Sequence, residues 1–108
     1  MLFSVRMPSS IQAADYSATT SYLKAVQTAG TTDADKVMST LKSMKIEDFY
    51  NKGQIRADGR MIHDMYLFEV KTAAESTTPW DYYKMVAKVP GEQAFTTVAD
   101  SKCSLLKK

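Results

Sequence analysis

Three observations predict an α+β chain. Apolar residues recur every three or four positions over residues 11–29 and again over 37–44, the spacing of amphipathic helices. Asp58-Gly59 stands between two extended stretches, where glycine supplies the positive φ of a tight turn. Residues 61–71 and 80–89 alternate with the period of two that marks strands. Helices come first and strands follow, without interleaving, so the arrangement is α+β: an αα-hairpin followed by an antiparallel strand pair.

The first helix starts at Pro8-Ser9-Ser10, where a serine can cap the free backbone N–H groups. Ile11, Ala14, Ala18, Tyr22, Ala25 and Ala29 form its inward face, and Gly30 is its C-terminal stop. The second helix opens at Thr31-Thr32-Asp33. Thr32 is the expected cap, with Asp35 completing a shortened capping box and Asp33 and Asp35 placing negative charge at the positive end of the helix dipole. Val37, Met38, Leu41 and Met44 make its inward stripe. Residues 54–56 are a short extended piece before the Asp-Gly turn. In the strand over 61–71, Ile62, Tyr66, Phe68 and Val70 face one side and Met65 and Leu67 the other, a pattern that calls for cover on both faces. A Ser, Thr and Pro-rich loop leads to the last strand, in which Tyr83, Met85, Ala87 and Val89 alternate against Lys84 and Lys88. Pro90-Gly91 ends it, and residues 92–108 read as irregular. Two helices cannot cover a doubly apolar sheet, and a sheet of two or three strands with open edges is a poor independent fold. The chain reads as a single incomplete domain over residues 1–108, with its remaining layers supplied by a longer chain or by a second copy.

With 44% apolar and 24% charged residues the composition is that of a globular domain, and 108 residues suffice for one small domain. The net charge of +2 comes from scattered basic residues with no aromatic interleaving, which argues against nucleic-acid binding. No apolar run approaches the roughly 18 residues of a membrane span, and residues 1–15 lack the apolar centre of a signal peptide. One cysteine, Cys103, excludes an internal disulfide framework.

The chemical signals are sparse. His63-Asp64 suggests a base with an orienting carboxylate, but neighbours on a strand point to opposite faces, so His63 reads as a half-exposed strand residue. One histidine and one cysteine far apart do not make a metal site, and Cys103 lies in a tail without the signatures of a thiol nucleophile. Asp33-Ala34-Asp35 lacks the later glycine and glutamate of a calcium loop, and isolated glycines cradle no phosphate. Trp80-Asp81-Tyr82-Tyr83 reads as local strand packing, with a contact surface as the alternative, and the methionines read mainly as core. No catalytic constellation, metal site or cofactor is expected.

Several phrases, in order, resemble the C-terminal part of the type I periplasmic binding proteins of the branched-chain amino acid and amide group. They are Met7-Pro8 with Gln12-Ala13-Ala14-Asp15-Tyr16-Ser17-Ala18 and Tyr22-Leu23-Lys24-Ala25-Val26, then Ala29-Gly30-Thr31-Thr32-Asp33-Ala34-Asp35. The stretch from Gly53-Gln54-Ile55-Arg56 through Asp58-Gly59-Arg60 to Tyr66-Leu67, then Pro79-Trp80-Asp81-Tyr82-Tyr83-Lys84 and finally Cys103-Ser104-Leu105-Leu106-Lys107-Lys108, complete the series. The resemblance implies a parent of two α/β lobes closing by a hinge on a small amino acid or amide, exported to the periplasm and delivering its solute to an ABC permease. It also implies that Ile11 and Gln12, and less directly Tyr16, face the ligand cleft. The opening strands of the first lobe, most of the second and the export signal are not among these residues, so tight solute binding by this segment alone is not expected. The other reading is a free-standing α+β module that forms a homo-oligomer through its open strands.

Overall fold

A computed structural model describes residues 7–104 and 106. Helix α1 spans Ser10–Ala29, and α2 spans Ala34–Ser43. Strands β1 (Lys45–Glu47), β2 (Lys52–Ile55) and β3 (Met61–His63) form an antiparallel meander. Strands β4 (Met65–Val70) and β5 (Tyr83–Val89) form a separate antiparallel ribbon, and a short α3 (Gly91–Ala94) follows. The predicted α+β order stands. The sheet is more elaborate than a single strand pair.

Helix α1 starts with a full capping box. Ser9 Oγ accepts from the Gln12 backbone N–H at 3.2 Å, and Gln12 Oε1 accepts from the Ser9 N–H at 2.8 Å. It ends where Gly30, at φ +65°, donates its N–H to the Val26 carbonyl. Its packed row agrees with the predicted one only in part, at Ala14, Ala25 and Ala29. Ser17, Ser21 and Ala25 are buried, Ala14 and Ala29 are half-buried, and Ile11, Ala18 and Tyr22 are exposed. The contact face is turned by one residue because small side chains at four-residue spacing let α1 approach its neighbours closely, with a hydroxyl satisfied inside. Ala18 and Tyr22 are left facing an open cleft.

Asp33, rather than Thr32, caps α2, accepting from the Lys36 N–H at 3.1 Å, while Thr31 Oγ1 accepts from the Asp33 N–H. A carboxylate one residue nearer the first turn displaces the hydroxyl from that role. Val37 and Leu41 are buried as expected, Met44 packs against them, and Met38 points outward. Met7, Met65 and Met85 are exposed too, so the methionines among the described residues are not mainly core. Ala25, Val37 and Leu41 form the buried cluster, with Val26, Ala29, Met44 and Ile55 around it.

The three-residue β1 has too short an alternation to be read from sequence. It pairs with β2 in the register Ile46↔Gly53, and buried Ile46 closes the sheet against the helices. The Asp-Gly turn is as predicted: Gly59 has φ +83°, and the Arg56 N–H bonds to the Arg60 carbonyl at 2.8 Å. The sequence reading of one strand over residues 61–71 is corrected to two, broken at Asp64. There the chain leaves the first sheet for the second, and the Asp64 carboxylate accepts from the Gly91 N–H at 3.0 Å and pairs with Lys88 at 2.6 Å. The last strand begins at Tyr83, not Trp80. Trp80 has φ +72° and sits in a turn whose Asp81 carboxylate is paired with Lys71. The ribbon carries one extra residue, Val86, opposite Leu67 and Phe68, a bulge that sharpens its twist. Both its faces are exposed. Of the tail predicted to be irregular, Gly91–Ala94 is helical, held by amide donations to the Pro90 carbonyl.

Candidate functional site

Ile11, Gln12 and Tyr16 lie in the first two turns of α1. Gln12 and Tyr16, four residues apart, share one side of the helix, and Ile11 is turned about 100° away. Ile11 is 72% exposed. The carbonyl oxygen of Gln12 accepts from the Ser9 N–H at 2.8 Å, and its amide N–H₂ is the side chain's donor group. The Tyr16 ring meets Phe49 edge-on, with centroids 5.5 Å apart, and Phe49 in turn neighbours Tyr50 at 6.2 Å.

What fixes this aromatic corner is Asp48, in the turn between β1 and β2. One carboxylate oxygen accepts from the buried Ser17 hydroxyl at 2.5 Å; the other accepts from the N–H groups of Tyr50 and Asn51, each at 2.8 Å. Partial burial pushes the Asp48 carboxyl up, but donation from Ser17, Asn51 and Tyr50, with Lys24 nearby, outweighs it and holds the group below its ordinary value. The turn that presents Phe49 and Tyr50 is thereby tied to α1 one residue beyond Tyr16. Sequence reasoning passed over this segment, although an aspartate followed three residues later by asparagine is a turn signal. The partner Ser17 is visible only in three dimensions.

Two concavities flank this corner. An apolar cleft of about 430 Å³ lies between α1 and the face of the first sheet, bordered by Ala14, Ala18, Tyr22, Leu41, Ile46 and Met61. A smaller and more polar one of about 250 Å³ is bordered by Asp48, Phe49, Tyr50, His63, Asp64 and Lys88. Ile11, Gln12 and Tyr16 border neither, although Tyr16 touches Phe49 on the rim of the second.

His63 and Asp64 do not form a base and orienting carboxylate. His63 Nδ1 lies 2.9 Å from the backbone carbonyl of Asp64, and the Asp64 carboxylate serves Lys88 and Gly91, which hold it below its usual range. His63 and the exposed Cys103 border one wide depression, yet among the described residues no hydrogen bond joins them. The His63 ring instead stacks edge-on against Phe95 at 5.3 Å, and the Arg60 guanidinium lies over the same Phe95 ring. Among the described residues no three His, Cys, Asp or Glu side chains converge as metal ligands do, and no helix is long and apolar enough to cross a membrane. The arrangement offers a partly aromatic rim held in place by the hydrogen bonds to Asp48.

Residues 3–76 match the family model described as periplasmic binding protein. A crystal structure of a periplasmic binding protein from Burkholderia mallei is 69% identical, with a TM-score of 0.91 over 94% of this chain and 27% of that one. A second, a branched chain amino acid ABC transporter periplasmic ligand-binding protein from Burkholderia xenovorans, is 40% identical, with a TM-score of 0.87 over 93% of this chain and 27% of that one. None of the curated proteins matches. The chain spans about a quarter of the length of these solved relatives. Over that quarter, in sequence as in backbone, the chain belongs to the periplasmic binding protein family.

Proposed function

We propose that the chain is the C-terminal portion of an ABC-transporter periplasmic substrate-binding protein for branched-chain amino acids or related small amides. The observation that carries this reading is the backbone match to a relative named for that ligand class, at 40% identity over 93% of the chain. In the full protein the role is capture without chemistry: two lobes close on the solute, and the closed form docks on a membrane permease at the periplasmic face. The start of α1 stands at the ligand. Ile11 presents an apolar surface to the solute side chain, the Gln12 amide donates a hydrogen bond, and Tyr16 with Phe49 supports the rim. In that setting the His63 and Cys103 depression has no catalytic role.

The test is a single-chain hybrid in which this chain replaces the matching quarter of the Burkholderia xenovorans protein, titrated calorimetrically with leucine, isoleucine, valine and small aliphatic amides. One of these solutes is expected to bind. Gln12→Ala is expected to weaken that binding about tenfold, the value of one hydrogen bond to a polar or charged group. A folded hybrid that binds none of them, or whose affinity ignores both Gln12→Ala and Tyr16→Ala, sinks the reading.

One observation favours a second reading, a module that dimerises through its strands: the β4–β5 ribbon is exposed on both faces and unpaired along both edges among the described residues. A discrete dimer of the isolated chain that dissociates when proline is placed in the ribbon, as in Val86→Pro, supports that alternative.

A further inference from the structure

The amount of surface left open is the leading fact. A compact monomer of 12.1 kDa exposes about 6,000 Å², but this chain exposes 8835 Å². Its radius of gyration is 17.4 Å, where a compact domain of this length has about 13 Å. The excess of about 2,800 Å² is too large for the nine undescribed residues to account for, and it is on the scale of a large obligate interface. Its location is also specific. On the ribbon, Tyr66, Phe68 and Val70 and their neighbours on β5 are exposed, and no large side chain of the described chain is fully buried. Beside α1, Ala14, Ala18 and Tyr22 face Ile46, Ile55 and Met61 across the apolar cleft.

Resting on the receptor-fragment reading above, we propose that the cleft beside α1 and the β4–β5 ribbon are together the seat of one occupant, the remaining three quarters of the same fold. It docks as apolar layers whether it is joined covalently or supplied as a separate polypeptide. The chain is thus assembly-competent in trans, and the 430 Å³ cleft is a packing socket rather than the solute site. One observation chooses this occupant over a second copy: the backbone already has the arrangement it has inside a relative roughly four times its length, so no rearrangement is needed to accept the rest. A twofold pairing that seats each ribbon in the other copy's cleft is the competing arrangement, and the homodimer outcome below tests it.

The experiment uses the 108-residue chain and the Burkholderia mallei protein without its matching quarter, refolded together and separated by size-exclusion chromatography with light scattering. Two controls accompany it: the same pieces joined as one hybrid chain, and two substitutions on α1. Ala18→Arg puts an unpaired charge into the cleft, and Gln27→Arg lies on the opposite side of the helix, half a turn round and exposed. A one-to-one complex is expected, weakened on the order of a hundredfold by Ala18→Arg and within about threefold of the parent for Gln27→Arg. A joined hybrid that folds while the pieces stay apart overturns the proposal and leaves the family reading intact. So does a homodimer of this chain that persists in the presence of the other piece. A joined hybrid that cannot fold sinks the receptor-fragment reading itself, and the proposal with it.

Discussion

The hydrogen bond between Ser17 and Asp48 ties the presenting turn to α1, and its removal has a calculable effect. Ser17 is only 6% exposed, and Asp48 is half-buried with two further backbone donors on its other oxygen. Ser17→Ala deletes a hydroxyl, creates almost no cavity and keeps helix propensity high, so the effect is the loss of a hydrogen bond to a charged group. Such bonds contribute about 1.5–3 kcal/mol, and water reaching the half-buried carboxylate places this one near the lower end. The expected loss is about 1.5 kcal/mol, roughly a tenfold change in the unfolding equilibrium. The assay is urea unfolding of the joined hybrid with the Burkholderia mallei remainder, followed by circular dichroism, with Asp48→Asn and the double variant completing a cycle. The coupling is expected to exceed about 1 kcal/mol.

The pH dependence of the same difference has a definite sign. The folded Asp48 carboxyl is held below its ordinary value of 3.8, so the unfolded chain binds the proton more readily. The stabilisation is therefore complete above that ordinary value and is lost as pH falls through the lower folded value. The gap between parent and Ser17→Ala is expected to close over that window. A Ser17→Ala variant within about 0.3 kcal/mol of the parent, with no coupling to Asp48, would refute the account of how the turn is held.

Other consequences concern the first sheet. A Cβ at Gly53 would lie 2.0 Å from the Ile62 carbonyl oxygen, inside the β2–β3 ladder, so Gly53→Ala must part the strands. It is expected to cost about 2–4 kcal/mol by the same unfolding assay, and a loss under about 0.5 kcal/mol would show that the register is wrong. In the Asp-Gly turn, the side chain of Arg56 bonds Asp58 and holds its carboxyl at about 2, and Arg56 also donates to the Thr96 carbonyl at 2.9 Å. Carboxyl chemical shifts followed against pH are expected to place Asp58 there, and Arg56→Gln to return it toward the ordinary 3.8. Because the folded value is the depressed one, the pairing stabilises the turn above 3.8 and is lost as pH falls toward 2. An Asp58 that titrates at its ordinary value in the parent would remove the pairing from the account.

Local chemistry is what the sequence by itself determined. Ser9 before a helical period, Gly30 after it and Asp58-Gly59 between extended pieces each act within a few residues, so cap, stop and turn were legible without knowledge of the rest. The resemblance to periplasmic binding proteins was legible for a related reason: it lies in ordered short phrases, and the matches to the family and to two solved relatives agree with it. The doubly apolar pattern of Met65–Val70 likewise signalled a strand made for cover on both faces, which the structure leaves exposed.

The tertiary structure alone decided which row of α1 is packed. Ser17 over Ala18 is a choice made by Asp48 thirty-one residues away, and no helical period encodes it. It likewise decided that the strand breaks at Asp64, because the reason is Gly91 and Lys88 arriving from the end of the next strand. For the candidate site, sequence placed Ile11, Gln12 and Tyr16 at the start of α1, while the Phe49 contact and the Asp48 anchor had to be seen folded. Both divisions have one physical cause. Hydrogen-bond geometry and backbone torsion are local and recur with a period, whereas burial depends on which distant groups are present to exclude water.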